Sequence, residues 1–176
     1  MEETTVGWFP VFTLLLGYAV KTFADWVQHR RTSEREREAR QEARQDQLFE
    51  RRTTFQRQTL LDLQDAMMQL MRTTGEMHHQ DLMDFRKTEQ WHKQLYPEDV
   101  SEDNRLANAR TTVLGVRVRD ESVRSLVAAV KDHATRAGVG RSKEECEREI
   151  DAAMVEFERF NQRVGEVLRE LETTTP

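Results

Sequence analysis

Apolar and polar residues follow one another along this chain in three different ways, and each pattern predicts a different element. A continuous apolar run covers residues 6–20, a stretch without large apolar residues covers 32–47, and from Leu60 onward apolar residues recur every third or fourth position. Recurrence at three and four residues is the period of an α-helix, and the β-branched runs that indicate strands are lacking. Only three prolines and seven glycines interrupt the 176 residues. The sequence therefore predicts an all-α protein.

The N-terminal pattern predicts a single-pass membrane anchor with its flanks at residues 1–31. A spanning helix needs about 20 residues, so the apolar run alone is short. Extension to Trp26 supplies the missing length, provided that the Lys21 ammonium reaches the headgroups on its apolar stem. Trp8 and Trp26 suit the two interfacial belts of a bilayer. The predicted anchor side chains are Val6, Trp8, Phe9, Val11, Phe12, Leu14, Leu15, Leu16, Tyr18, Val20, Lys21 and Trp26.

Two other interpretations of this segment stay open: a cleaved signal peptide and a buried core helix. Glu2 and Glu3 precede the run, whereas a secretory signal has positive charge there, so the anchor is favoured. Arg30 and Arg31 follow the run, and the positive-inside bias then predicts an N-terminus outside the cell membrane and a cytoplasmic C-terminal domain. The two arginines either bind anionic lipid headgroups or serve only as flanks that stop transfer.

The remaining patterns divide the chain into a charged helical spacer at 32–59, a cytoplasmic helical bundle at 60–172 and a disordered tail at 173–176. The transmembrane helix is expected to continue into the spacer, where opposite charges three and four residues apart favour a helix over disorder. Turn signals at Pro97, near Asp120 and at 138–140 supply the reversals of an antiparallel bundle. Gly75 leaves open whether the first bundle helix runs straight or bends.

The second bundle helix is expected to follow Pro97, with Ser101 as its N-cap. Its predicted buried face consists of apolar residues at helical spacing, namely Leu106, Ala109, Val113 and Val116. Asp120 is expected to cap the third helix, and Ser142 with Glu145 forms the capping box of the fourth.

The fourth helix has the most regular apolar pattern in the chain. Residues four and three positions apart form a heptad seam, as in coiled coils: Cys146, Ile150, Ala153, Phe157, Phe160, Val164, Val167 and Leu171. Such a seam packs against another helix. The partner is either the stripe between Leu60 and Met71 of the same chain or the same helix in a second copy.

Candidate chemistry is concentrated in two Glu-x-x-His motifs, Glu76 to His79 and Glu89 to His92. Di-iron carboxylate bundles use this spacing, but they take the two motifs from different helices. On one helix the motifs lie about 20 Å apart along the axis, so they cannot share a metal ion. We therefore expect no metal, no cofactor and no catalytic residue. Cys146 is expected to pack within the seam rather than to react.

Charge restricts the partners further. Charged residues make up 34% of the chain, the mean hydropathy is -0.81 and the net charge is -5. These values indicate a water-exposed body, and neither half of it has the basic patch of a nucleic-acid binder. The expected partners are the lipid bilayer and a protein.

The run RRTTFQRQTLLDLQDAMMQLMRTTGEMHHQDLMDFRKTEQW, followed by RVRDESVRSLVAA, resembles an uncharacterised family of small N-terminally membrane-anchored helical proteins of high-GC Gram-positive bacteria. The likeness extends from the anchor to about Ala137. It implies a bacterial source and an anchored helical architecture, and it implies no activity.

These patterns favour a membrane-anchored helical scaffold or interaction protein. It would present its bundle at the cytoplasmic membrane face to an unidentified protein, or to a second copy through the C-terminal heptad helix. The alternative is a metal- or cofactor-dependent membrane-proximal enzyme that uses His78, His79, His92 and nearby acids.

Overall fold

The structure, a computed structural model, describes the backbone of residues 9–93 and 96–173 and the side chains of residues 39–93 and 96–173. It contains four α-helices within these ranges: α1 (Phe9–Thr88), α2 (Glu98–Gly115), α3 (Glu121–Val139) and α4 (Lys143–Thr173). No strand occurs in this part of the chain, so the predicted all-α class is confirmed. The chain divides into two compact units, Met1–Phe49 and Glu50–Pro176.

The first unit contains the proposed anchor and most of the charged spacer. The predicted anchor residues Val6 and Trp8 lie outside the described residues, and those from Phe9 to Arg31 belong to α1 without described side chains. Between Ala39 and Leu48 every side chain is exposed, as expected for a helix that is polar on all sides. In the portion that the structure describes, no helix is long and apolar enough to cross a bilayer.

The second unit is a bundle in which each helix runs antiparallel to the one before it. Asp120 at the start of α3 bonds to Arg163 late in α4, and His133 late in α3 pairs with Glu149 early in α4. Asn104 in α2 bonds to Thr73 of α1, whereas Arg117 just after α2 bonds to Gln56, which lies earlier in α1. One buried core joins all four helices: Leu60, Leu63, Ala66, Met67, Leu70, Ala107, Leu114, Val118, Val123, Val127, Val130, Phe160 and Val164.

One side-chain amide, that of Gln56, joins α1 to the turn between α2 and α3. Gln56 of α1 donates from Nε2 to the carbonyl of Arg117 (3.0 Å), and its Oε1 accepts from the backbone N–H of Arg119 (3.0 Å). Gln56 thereby satisfies two backbone groups of the turn between α2 and α3. The compact unit accordingly includes residues before 60, which the sequence assigned to the spacer.

The orientation of α2 differs from the expected one. Its buried residues are Ala107, Thr111, Leu114 and Gly115, whereas Leu106, Val113 and Val116 are 50%, 49% and 75% exposed. Two polar residues turn inward because their polar atoms are satisfied there: Asn104 donates to the Thr73 hydroxyl (2.9 Å), and Thr111 donates to the carbonyl of Ala107 (2.7 Å). The predicted buried face of α2 is therefore wrong.

Two of the three predicted helix starts are confirmed. The Asp120 carboxylate accepts from the backbone N–H of Val123 (2.8 Å), and the Ser142 hydroxyl accepts from that of Glu145 (3.1 Å). The predicted cap of α2 is wrong, because α2 begins at Glu98 directly after Pro97 and Ser101 lies inside it. Proline is favourable beside a helix start, since its missing N–H would be unsatisfied there anyway.

Gly75 does not interrupt α1, and a side chain at this position would meet nothing within 4 Å. Glycine inside a helix costs about 0.5–1 kcal/mol relative to alanine, largely because the unfolded chain loses more freedom. We therefore expect Gly75→Ala to raise the free energy of unfolding by that amount, measured by urea denaturation of the full chain in detergent micelles.

Gly140→Ala is the matched control. Its methyl group would overlap the Cys146 sulfur, so stability should fall. A loss with Gly75→Ala would show that α1 bends there.

The ion pair between Asp120 and Arg163 (2.7 Å) predicts a specific acid sensitivity. Its hydrogen bond to the arginine holds the pKa of Asp120 below the usual value. A carboxyl with a lowered folded pKa contributes stability above its unfolded pKa of about 3.9 and loses it as the pH falls through the folded value. Asp120→Asn keeps the cap and removes the charge, so we expect a loss of about 1 kcal/mol at pH 7. The difference between the two proteins should shrink as the pH falls below the unfolded pKa of about 3.9 and vanish once Asp120 is protonated in the folded state. A constant difference across this range would contradict the assignment.

Candidate functional site

A fully buried carboxylate lies near the C-terminal end of α1. The side chain of Asp81 is 0% exposed, and its Oδ2 accepts from Lys93 Nζ (2.8 Å) and from the Tyr96 hydroxyl (2.7 Å). Burying a charge is expensive unless it is paired and hydrogen-bonded, and both conditions hold here. Lys93 and Tyr96 belong to the segment between α1 and α2. Asp81 therefore holds that non-helical segment against the bundle.

Lys93 uses all three ammonium hydrogens to connect three parts of the fold. Besides Asp81 it donates to the carbonyl of Ala137 at the end of α3 (2.9 Å) and to Cys146 Sγ at the start of α4 (3.5 Å). Its Nζ also lies 5.2 Å from the centre of the Trp91 ring, in cation–π range. We refer to Asp81, Lys93, Tyr96 and Cys146 as the lysine cluster.

Trp91 adds a second fastening between the same parts. Its indole Nε1 donates to the carbonyl of Gly140, in the turn between α3 and α4 (3.3 Å), and its ring lies edge-on to Phe85 with centroids 6.0 Å apart. Trp91 and Lys93 together thus bond to the α3–α4 turn and to α1.

Burial is the main influence on the pKa values of two members of the lysine cluster, Tyr96 and Cys146. Burial and the hydrogen bond to Asp81 raise the pKa of Tyr96. Burial also raises the pKa of the Cys146 thiol, and the opposing effect of Lys93 is smaller. Both groups therefore stay protonated at neutral pH. A nucleophilic cysteine needs a lowered pKa, so the cluster does not activate Cys146.

A cavity of about 230 Å³ adjoins this cluster, enclosed by all four helices and by the segment between α1 and α2. Its apolar wall comprises Leu70, Met77, Ala134, Ala137, Val139 and Ile150. Its polar wall comprises Thr74, His78, Asp81, Lys93, Tyr96, Asn104, Asn108, Lys131 and Thr135. A mixed wall of this kind is typical of a small-molecule site, in which a few polar groups orient a ligand.

Two polar atoms of cavity-lining residues are buried without a hydrogen-bond partner, His78 Nδ1 and Asn108 Oδ1. Such atoms are rare in folded proteins, and each one calls for an explanation. Burial, followed by the charge of Lys93, lowers the pKa of His78, so its imidazole is neutral at pH 7. The ring centroid of His78 lies 6.2 Å from that of Trp91.

Comparison with protein-family models, with curated proteins and with solved structures found no match to this chain. Its function must be argued from the geometry.

The structure separates the three histidines that the sequence singled out. His78 lines the cavity, His79 is exposed, and His92 Nε2 lies 3.0 Å from the Asp84 carboxylate at the surface. Across the described side chains, no group of three or more histidine, cysteine or acidic residues is arranged to hold a metal ion. His133 lies further along the chain, on α3, and its ring pairs with the Glu149 carboxylate of α4 (2.8 Å).

The heptad seam of α4 lies within the bundle. Cys146, Ala153, Phe160 and Val164 are buried, and Phe157, Val167 and Leu171 pack against the core of the same chain. Ile150 lines the cavity.

Sequence analysis missed most of the site: Asp81, Lys93, Tyr96, Asn104, Asn108 and Lys131. One signal was available. Asp81 lies seven residues after Thr74, which itself lies four residues after Leu70 on the apolar stripe of α1. A charged residue that continues a buried stripe indicates a buried ion pair.

A second candidate surface is the outward side of α2, which we call the α2 face and define as Leu106, Ala109, Val113 and Val116. All four residues are exposed and lie opposite the buried side of the helix. Exposed charges are distributed unevenly beside them. The acidic residues Glu98, Asp99, Glu102 and Asp103 lie toward the N-terminal end, where Arg105 pairs with Glu102, and Arg110, Arg117 and Arg119 lie toward the C-terminal end.

Proposed function

We propose that this chain is a single-pass, membrane-anchored interaction protein without enzymatic activity, whose bundle self-associates at the cytoplasmic membrane face. The observation that supports self-association most directly is the α2 face. Four apolar residues spaced three and four apart are exposed on one side of a helix, and such patches mark interaction surfaces. The heptad seam of α4 is used within the bundle, so the α2 face is the better surface for a partner.

Charge complementarity favours a second copy as the occupant of the α2 face. In a two-fold symmetric dimer the same surface meets itself, and two α2 helices would cross in antiparallel orientation. The acidic end around Glu102 would then lie beside the basic end around Arg117 of the partner copy. Leu106 of each copy would lie opposite Val113 of the other. Both ends attract and the middle is apolar, as an isologous interface requires.

The proposed anchor strengthens this association. Confining two copies to a bilayer raises their effective concentration, so a small interface can suffice. The support for the anchor is in the sequence: the apolar run, the flanking Trp8 and Trp26, and Arg30 and Arg31 on one side only. Reporter fusions at the two ends test the orientation. A reporter active outside the membrane at the C-terminus would overturn the cytoplasmic placement.

Cross-linking tests the dimer. Ala109 is close to the middle of the α2 face, so Ala109→Cys in the full chain should form a covalent dimer with a short bismaleimide in native membranes. The wild-type chain, whose single Cys146 is buried, is the background control. Adding Val113→Glu should reduce the cross-linked fraction about tenfold or more, because two carboxylates would be forced together in an apolar interface.

The matched control for Val113→Glu is Met68→Glu. Met68 is exposed on α1 and is not part of the α2 face, so its replacement should leave the cross-link unchanged. Equal losses in both variants, or no cross-link above background with Ala109→Cys, would overturn self-association through α2.

A further inference from the structure

The positive charge in the cavity exceeds the negative charge that the fold supplies. Lys93 and Lys131 both line it, and Asp81 is the only acidic residue in its wall. Asp81 is already bonded to Lys93 and Tyr96. No described carboxylate lies within ion-pair distance of Lys131, whose ammonium is bonded to the Thr112 hydroxyl. One lysine charge at the cavity is therefore without a counter-ion from the described side chains.

The Lys131 ammonium is only partly removed from water, since it is bonded to the exposed Thr112 hydroxyl. Lys131 is partly buried, and burial lowers its pKa. Burial of an ammonium disfavours the charged form unless an opposite charge lies nearby. An anion bound in the cavity would supply that opposite charge. Since no described carboxylate does so, an anion bound beside Lys131 would stabilise its charged form.

The second requirement is a hydrogen-bond donor. Asn108 Oδ1 is a buried acceptor without a donor, and Asn108 lines the same cavity as Lys131. Leaving a buried acceptor unpaired is unfavourable, and a donor on a ligand would remove this cost. His78 Nδ1 is a further unpaired atom of the wall, and the neutral imidazole can donate or accept.

Size and the apolar wall limit the ligand further. A water molecule occupies roughly 30 Å³ in the liquid, so this cavity has room for roughly eight to twelve non-hydrogen atoms. Leu70, Met77 and Ile150 provide an apolar surface for the body of such a molecule.

We propose that the cavity binds a small organic monocarboxylate that also has a hydroxyl or N–H donor. The carboxylate binds the Lys131 ammonium and the donor binds Asn108 Oδ1, while the carbon skeleton packs against Leu70 and Ile150. This site is independent of the α2 face, so the proposed self-association and the ligand site can fail separately.

The probe is para-hydroxybenzoate, which has a carboxylate, a hydroxyl donor and ten non-hydrogen atoms. Calorimetric titration of the full chain in detergent micelles should give saturable binding. Benzoate lacks the donor and should bind several-fold more weakly, and para-hydroxybenzamide lacks the charge and should bind at least tenfold more weakly. No saturable binding of para-hydroxybenzoate up to millimolar concentration, or equal binding of the acid and the amide, would overturn the proposal.

Two variants assign the roles of the residues. Lys131→Met should weaken para-hydroxybenzoate binding at least tenfold, and Lys131→Arg, which keeps the charge, should restore most of it. Asn108→Leu should abolish the preference for para-hydroxybenzoate over benzoate and leave benzoate binding in place. Circular dichroism melts of each variant verify folding, and the arginine variant keeps the test informative if the methionine variant is unstable. Unchanged binding in Lys131→Met would overturn the assignment.

Discussion

Replacing Lys93 with methionine is expected to lower the free energy of unfolding by about 3–5 kcal/mol. The variant leaves the Asp81 carboxylate buried without its cation, and it also removes the donors to the Ala137 carbonyl and to Cys146. Such a loss reflects the cost of an uncompensated buried charge rather than the net worth of the pair. Urea denaturation of the full chain in detergent micelles measures it.

Removing both charges of the pair should restore part of the lost stability. In the double variant Asp81→Leu with Lys93→Met, both charges are absent and no carboxylate is stranded. Replacement of a buried pair by apolar residues is often close to neutral, so the double variant should be more stable than Lys93→Met alone.

The matched control is Arg105→Met, which breaks the exposed ion pair with Glu102 on α2. Exposed pairs contribute about 0–1 kcal/mol, so this variant should be almost as stable as the wild type. Similar losses for Arg105→Met and Lys93→Met would contradict the special position of the lysine cluster.

The second large effect is expected at Phe160. This side chain is fully buried in the middle of the heptad seam of α4, with its ring stacked on Phe157 at a centroid distance of 6.2 Å. Truncation of a buried phenylalanine to alanine costs about 3–5 kcal/mol through lost burial and the remaining cavity. Phe160→Ala should therefore lower the melting temperature by roughly 10 °C, followed by circular dichroism.

Protein concentration gives this test its discriminating power. The seam packs within one chain, so the loss with Phe160→Ala should be the same at low and high concentration. Met154→Ala, at a largely exposed position of the same helix, should change stability by less than about 0.5 kcal/mol. A loss that depends on concentration would instead place the seam between two copies.

The parts of the fold that sequence reasoning predicted depend on local chemistry. The start of α3 at Asp120 follows from one side chain that accepts from a backbone N–H three residues later, and the seam of α4 follows from spacing within a single helix. The orientation of α2 does not follow in this way. Asn104 turns inward because the Thr73 and Thr74 hydroxyls accept from it, and those acceptors lie about thirty residues earlier in the chain.

The cavity and the lysine cluster were beyond prediction for a related reason. Lys93 and Tyr96 lie in a segment without periodicity, and their positions depend on a carboxylate in α1. From the sequence alone, Lys131 resembles any exposed lysine. Only the structure shows that it lines the cavity and that no described carboxylate lies within ion-pair distance of it. His78 was a candidate because other histidines lie near it in the sequence. In the structure it lies beside the Trp91 ring and lines the cavity together with Lys93.

The position of Trp91 also gives the molecule an internal fluorescent reporter. Its indole lies between the His78 ring, which borders the cavity, and the Lys93 ammonium, and both groups influence indole emission. The only other tryptophans are Trp8 and Trp26 in the proposed anchor. In a chain with Trp8 and Trp26 replaced by phenylalanine, all tryptophan emission would come from Trp91, at the end of the bundle that contains the lysine cluster. Ligand binding or unfolding at that end of the bundle would then change the tryptophan fluorescence, which can be measured in a bilayer without an attached dye.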